Sequence, residues 1–210
     1  MWQVERRAWK LALIEAVDSR AHGSAVAGPG PDAWNVTAGT DAYRHVRVEG
    51  VWQHDRETLV QALTERGAGF WVLTPLRTGA GWTVLVNRGF VQADRTNPAT
   101  RAAGQALGSV TVSGPLRITE PGGGFLRSND PAADRWFSRD VPAIAAARHL
   151  VDPAPYFIDA DSTPNAGGWP VGGLTVIAFS NNHLVYALTW FSLCGLSLFG
   201  LLRVLRRGLG

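Results

Sequence analysis

The chain has 210 residues, 46% hydrophobic and 18% charged, with 24 glycines and 12 prolines. That is apolar enough for a packed domain and too poor in Gly and Pro for a disordered or collagen-like chain. One cysteine excludes a disulfide framework and any CxxC metal or redox site, and the net charge of +3 makes nucleic-acid binding a question that the placement of charge must answer.

From Gln3 to Arg20, Val4, Leu11, Ile14 and Val17 keep a helical spacing, which predicts an amphipathic helix. Arg6, Arg7 and Lys10 near its start suit a membrane-surface helix and equally an ordinary surface helix. His22 to Pro31 reads as a linker, so residues 1–31 are expected to be helix and linker. Residues 32–180 should form the body. Within it, Tyr43–Trp52 alternates as a strand. Phe70–Leu76 and Trp82–Val91 are apolar and β-branched, with Gly79-Ala80-Gly81 between them as a hairpin turn. Val110–Thr119 is a further strand in which Pro115 marks an edge or a bulge. Val141–His149 reads as a short helix capped by Asp140. Tyr156–Asp159 and Leu174–Phe179 bring the count to about six strands. The predicted class is α+β, mainly antiparallel β, with no internal repeat.

Leu184 to Leu202 is an uncharged apolar run. As a helix it measures about 28 Å, close to the roughly 30 Å of a bilayer core. Residues 181–205 are therefore read as a transmembrane helix and 206–210 as a tail. Arg203, Arg206 and Arg207 on one flank, against uncharged Ser180-Asn181-Asn182-His183 on the other, put the tail in the cytoplasm and the body outside. A tail-anchored protein facing the cytoplasm is the competing topology, which the arginines disfavour. A body outside the membrane requires export, so a hydrophobic segment is expected ahead of Met1. Without the three tail arginines, basic and acidic residues are equal at 17 each. The positive charge serves topology and gives no support to nucleic-acid binding.

No GxSxG elbow occurs, and Cys194 falls within the apolar run. The glycine clusters Gly122-Gly123-Gly124 and Gly167-Gly168 follow no strand-to-helix phosphate pattern. The five histidines show no zinc spacing. One constellation stands out. His183 precedes the apolar run, and Tyr186 and Trp190 follow at i+3 and i+7, on roughly one helix face. An imidazole beside aromatic rings at a membrane boundary suits haem ligation. The same three residues also suit a helix-entry cap followed by interfacial aromatic anchors.

Further stretches carry a resemblance. They are WQVERRAWK from Trp2, Thr74-Pro75-Leu76, VLVNRGF from Val84, Asn129-Asp130-Pro131 with Arg135-Trp136, and NNHL-x-Y from Asn181 with Thr189-Trp190. In this order they resemble the Surfeit locus protein 1 family of cytochrome oxidase assembly factors, in a bacterial form, over essentially the whole chain. The resemblance implies a bacterial inner-membrane protein with a periplasmic main domain between two transmembrane helices. The first helix precedes the WQ motif in the family and is missing here. It further implies a non-enzymatic assembly factor for haem-copper terminal oxidase that delivers haem a to subunit I. His183 matches the family's haem-linked histidine, and Trp190 matches an aromatic position of the same helix. The implied partners are oxidase subunit I and the haem a synthase.

Two rivals accompany this expectation. A haem-free scaffold would stabilise an oxidase assembly intermediate, with His183 as a cap. An uncharacterised periplasmic enzyme would need Arg88, Asp130 and Arg135 to converge, although no nucleophile–base pair is visible. Asn87-Arg88-Gly89 itself reads as a strand end and turn, with Arg88 free to pair with a carboxylate, a partner or a haem propionate.

Overall fold

The computed structural model describes residues 20, 23–35, 41–124, 126–174, 189–198 and 203. The chain divides into two units, and residues 15–176 make up the larger. Its strands are β1 (Val26–Ala27), β2 (His45–Trp52), β3 (Thr58–Thr64), β4 (Gly67–Thr78), β5 (Thr83–Val91), β6 (Ser109–Ile118), β7 (Gly123–Gly124), β8 (Arg127–Ser128) and β9 (Pro153–Asp159). One short helix, α1 (Val141–Ala147), lies between β8 and β9.

The main sheet runs β1-β2-β6-β9-β5-β4-β3, and a further β2–β4 pairing closes it into a barrel. Closure occurs where Gly50–Trp52 meets Leu76–Thr78. Gly50 permits that seam, because a Cβ there would overlap the Arg77 carbonyl oxygen. Most pairings are antiparallel, as the hairpin suggests, but β1–β2 and β5–β9 are parallel. The expected mainly antiparallel sheet is therefore present, with parallel pairing at those two seams.

Burial explains the strand sequences. Val46, Val48, Leu76, Val84, Val86, Leu116, Tyr156 and Ile158 share one apolar core. The alternate residues Leu85 and Phe157 join Val60, Leu73, Trp136 and Ile144 in a second core, which includes α1. β5 is buried along its whole length, which accounts for its run of apolar and β-branched residues. α1 begins as predicted: the Asp140 carboxylate accepts from the Ala143 amide at 3.2 Å. The turn at Gly79–Gly81 is also present, with the Gly81 amide donating to the Thr78 carbonyl at 3.0 Å.

Two local expectations are corrected and one holds. The segment 22–31, with the composition of a linker, contributes β1, and the Tyr156 hydroxyl donates to the Pro29 carbonyl at 2.7 Å. Pro115 lies in the stretch of β6 that β9 does not reach, so β6 is locally an edge there, as expected, although β6 as a whole lies between β2 and β9. It is tolerated because β9 pairs with β6 only from Leu116 onward, so no bond is lost at residue 115. Asn87–Gly89 is mid-strand in β5 and makes no turn. β3 is an addition to the predicted strands; its residues alternate only weakly and Leu63 is exposed.

The predicted N-terminal helix over 3–20, apart from residue 20, and most of the strand at 174–179 lie outside the described residues. Of the apolar run 184–202, residues 189–198 are described and helical. Among the described residues no helix is long and apolar enough to cross a membrane.

Candidate functional site

Of the sequence-predicted site, His183 and Tyr186 lie outside the described residues. Trp190 belongs to the helical stretch 189–198 and is 71% exposed, as are Phe191 and Leu196 to similar degrees. The side chains that come together in the larger unit are a different set, centred on Arg88.

β5 places Asn87 and Arg88 on opposite sides of one strand. The Asn87 amide donates to Asp159 Oδ1 at 2.8 Å, and its carbonyl oxygen accepts from the Gly89 amide at 3.1 Å. Asp159 is itself 2% exposed and takes Arg117 at 2.7 Å and Arg139 at 3.1 Å. Asn87 thus belongs to an architectural charge network. Gly89, at φ +131°, lets the Val171 backbone bridge to Phe90, with mutual N–H···O bonds of 2.9 Å.

Arg88 is only 3% exposed. Its Nη2 donates to the Gly104 carbonyl and, at 3.2 Å, to Asn165 Oδ1. The guanidinium carbon lies 5.0 Å from the centroid of the Trp52 ring, a cation–π contact. Its Nε and Nη1 are buried and have no hydrogen-bond partner among the described residues. Arg88 also contributes to the lining of a cavity of about 280 Å³, together with Trp52, Thr111, Ser113, Asp161 and Asn165. Burial pushes the Arg88 pKa down to about 10 despite the field of Glu57, so the group stays cationic near neutrality. Both acceptors of its hydrogen bonds are neutral oxygens, and among the described residues no carboxylate takes that place.

The nearest carboxylate field is already committed. Glu57 and Arg101 form a bidentate pair, with Arg101 Nη1 donating to Oε2 at 2.8 Å and Nη2 donating to Oε1. Their side chains are 6% and 1% exposed. His54 sits beside Trp52, ring centroids 6.2 Å apart, and faces the Ala106 carbonyl oxygen at 3.1 Å. Burial lowers its pKa against that bond, and the cations Arg88 and Arg101 lower it further. Asp161, also in the lining of the cavity, is held by His45 Nε2 at 3.0 Å.

Arg88, Asp130 and Arg135 do not converge. Asp130 and Arg135 pair with each other at 2.7 Å across an exposed turn, while Arg88 faces the cavity. The hydrogen bond from Arg135, with the Ala133 amide, holds the Asp130 carboxyl below its usual range. The enzyme reading built on those three residues therefore loses its site. Sequence reasoning misses Trp52, Asp161 and Asn165. A lone arginine inside an otherwise apolar strand is the available signal, because a buried cation requires acceptors from elsewhere in the chain.

The SURF1 family model matches residues 1–195. Surfeit locus protein 1 of Mus musculus is 36% identical over 209 residues, covering 92% of this chain and 66% of that protein. The human protein of the same name is 36% identical over 211 residues, covering 91% of this chain and 68% of that one. A SURF1-like protein of Monosiga brevicollis is 35% identical, with 94% and 78% covered. The chain thus spans about two thirds of the length of its mammalian relatives. It belongs to the SURF1 family.

Proposed function

We propose that this protein is a membrane-anchored, non-enzymatic assembly factor for haem-copper terminal oxidase. It holds haem a as cargo through His183 as axial ligand, beside Tyr186 and Trp190, and passes it to subunit I. The observation that carries the reading is the family match, which extends through the Asn181-Asn182-His183-Leu184 motif to residue 195. A second observation supports the anchor: Trp190, Phe191, Leu193, Leu196 and Leu198 are all exposed on the described helical stretch. A helix apolar on every side is suited to lipid. In this reading the barrel domain is periplasmic, the arginine tail is cytoplasmic and the membrane is a bacterial inner membrane. A single histidine in an apolar lip holds the cargo iron yet leaves it transferable.

The test is the visible spectrum of protein purified from cells that make haem a. The wild type should carry a haem absorbance, and His183→Ala should lose it. A spectrum unchanged in His183→Ala removes His183 as ligand. Colourless wild-type protein that still co-purifies with subunit I would establish the scaffold reading instead.

A further inference from the structure

We propose that the Arg88 cavity is a docking slot for an extended peptide segment that carries a carboxylate side chain. The inference goes beyond haem handling and stands whether or not this chain binds haem.

The first observation is the guanidinium. A buried cation whose Nε and Nη1 have no acceptor among the described residues, on a side chain that lines a cavity of about 280 Å³, is half of a charge pair. Glu57 cannot complete it, being engaged by Arg101 on both oxygens. Asp161 lies in the same lining, but its carboxylate is taken up by His45. The two ring nitrogens of His45 face oxygen acceptors, Asp161 Oδ2 and the Gly23 carbonyl, an arrangement that favours the protonated ring. The local balance therefore favours one further monoanion.

The second observation is independent and concerns backbone. β6 pairs with β2 along Ser109–Pro115, but β9 joins its other side only from Leu116. The Leu116 amide donates to Arg44 on the β2 side, at 2.9 Å. The Ser113 carbonyl points the opposite way and accepts from the Asp161 amide at 3.0 Å. Strand alternation puts Thr111 on the same side as Ser113, toward the cavity and without a strand partner there among the described residues. An open stretch of strand edge beside an unneutralised guanidinium matches strand addition: the edge binds the peptide backbone and Arg88 selects the acidic side chain. A phosphate dianion fits less well, because Asp161 borders the same space.

The probe is the blocked pentapeptide acetyl-Thr-Val-Glu-Val-Thr-amide, with its Gln counterpart and free propionate as comparisons. The readout is the Arg88 Nε–H signal in a proton–nitrogen NMR spectrum of the full chain, assigned by its loss in Arg88→Lys. The Glu peptide should shift this signal and bind at least about 10-fold more tightly than the Gln peptide. Equal binding of the two peptides, or no shift with either, overturns the proposal. Propionate binding as tightly as the Glu peptide overturns it too and leaves an adventitious ion only. Thr111→Pro removes an amide that β2 does not use. If its melting temperature matches wild type, it should weaken the peptide and spare propionate; unchanged peptide affinity would refute strand addition.

Discussion

His45 Nε2 lies 3.0 Å from Asp161 Oδ2, and the other ring nitrogen lies 2.9 Å from the Gly23 carbonyl oxygen. One imidazole ring therefore ties the start of β2 both to the chain leading into β1 and to the segment after β9. Burial works against the charge, but the Gly23 carbonyl and Asp161 carboxylate outweigh it and raise the pKa above 6.5. The folded state binds this proton more tightly than the unfolded chain. Its stabilising contribution is complete below pH 6.5 and is lost as pH rises through the raised folded value. Urea midpoints measured from about pH 5 to about pH 9 should fall more steeply for wild type than for His45→Gln. His54 titrates with the opposite sign, since its pKa is lowered, so the difference between the two proteins isolates His45. Identical pH profiles would mean that the ring is neutral when folded.

Glu57→Gln should destabilise the barrel domain by roughly 3–5 kcal/mol, because it strands the buried Arg101 without a counter-charge. The double variant Glu57→Leu with Arg101→Met should recover part of that loss, as the unpaired charge is gone. Recovery will be incomplete, since the Arg95 carbonyl loses its 2.9 Å bond from Arg101 Nε. Urea unfolding of the single and double variants decides the matter. A double variant as unstable as the single one would show that lost packing outweighs the stranded charge.

Gly89→Ala should cost about 2–5 kcal/mol, combining a φ of +131° with overlap of the new Cβ and the Val171 carbonyl. Gly67→Ala is the matched control. It shares a positive φ of +92° but has open space around the Cβ, so it should cost only about 1 kcal/mol. Chemical denaturation measures both. Hydrogen exchange at the Phe90 amide, which donates to Val171, should accelerate in the first variant and not in the second. Equal losses would assign the whole effect to backbone strain.

What is legible in the sequence depends on how far away each residue's partner sits. Asp140 can be read as a cap because its acceptor role is completed three residues later, at Ala143. The hairpin around Gly79–Gly81 is legible for the same reason. Asn87-Arg88-Gly89 has the composition of a turn, yet its residues serve Asp159, Asn165 and Val171, all far along the chain. Local rules assign Asn and Gly to turns, and only the tertiary structure shows a strand crossed closely by another backbone. β1 reads as linker because two residues carry no periodicity; its partner β2 makes it a strand. The Arg88 cavity leaves little trace in the sequence because Trp52, Thr111 and Asp161 meet only when the barrel closes. Membership of the family is legible without any of this, from the order of short motifs.

The parallel seam between β5 and β9 also bears on how the molecule is made. β5 emerges early in synthesis, and its partner on that side is the last strand of the sheet among the described residues. Until Pro153–Asp159 has left the ribosome, a fully buried, largely apolar strand presents an unfilled edge, the kind of template on which neighbouring chains aggregate. Folding is then governed by a non-local pairing whose loop-closure cost must be met before its contacts form. A truncation ending before Pro153 should be insoluble, even though it retains most of the barrel.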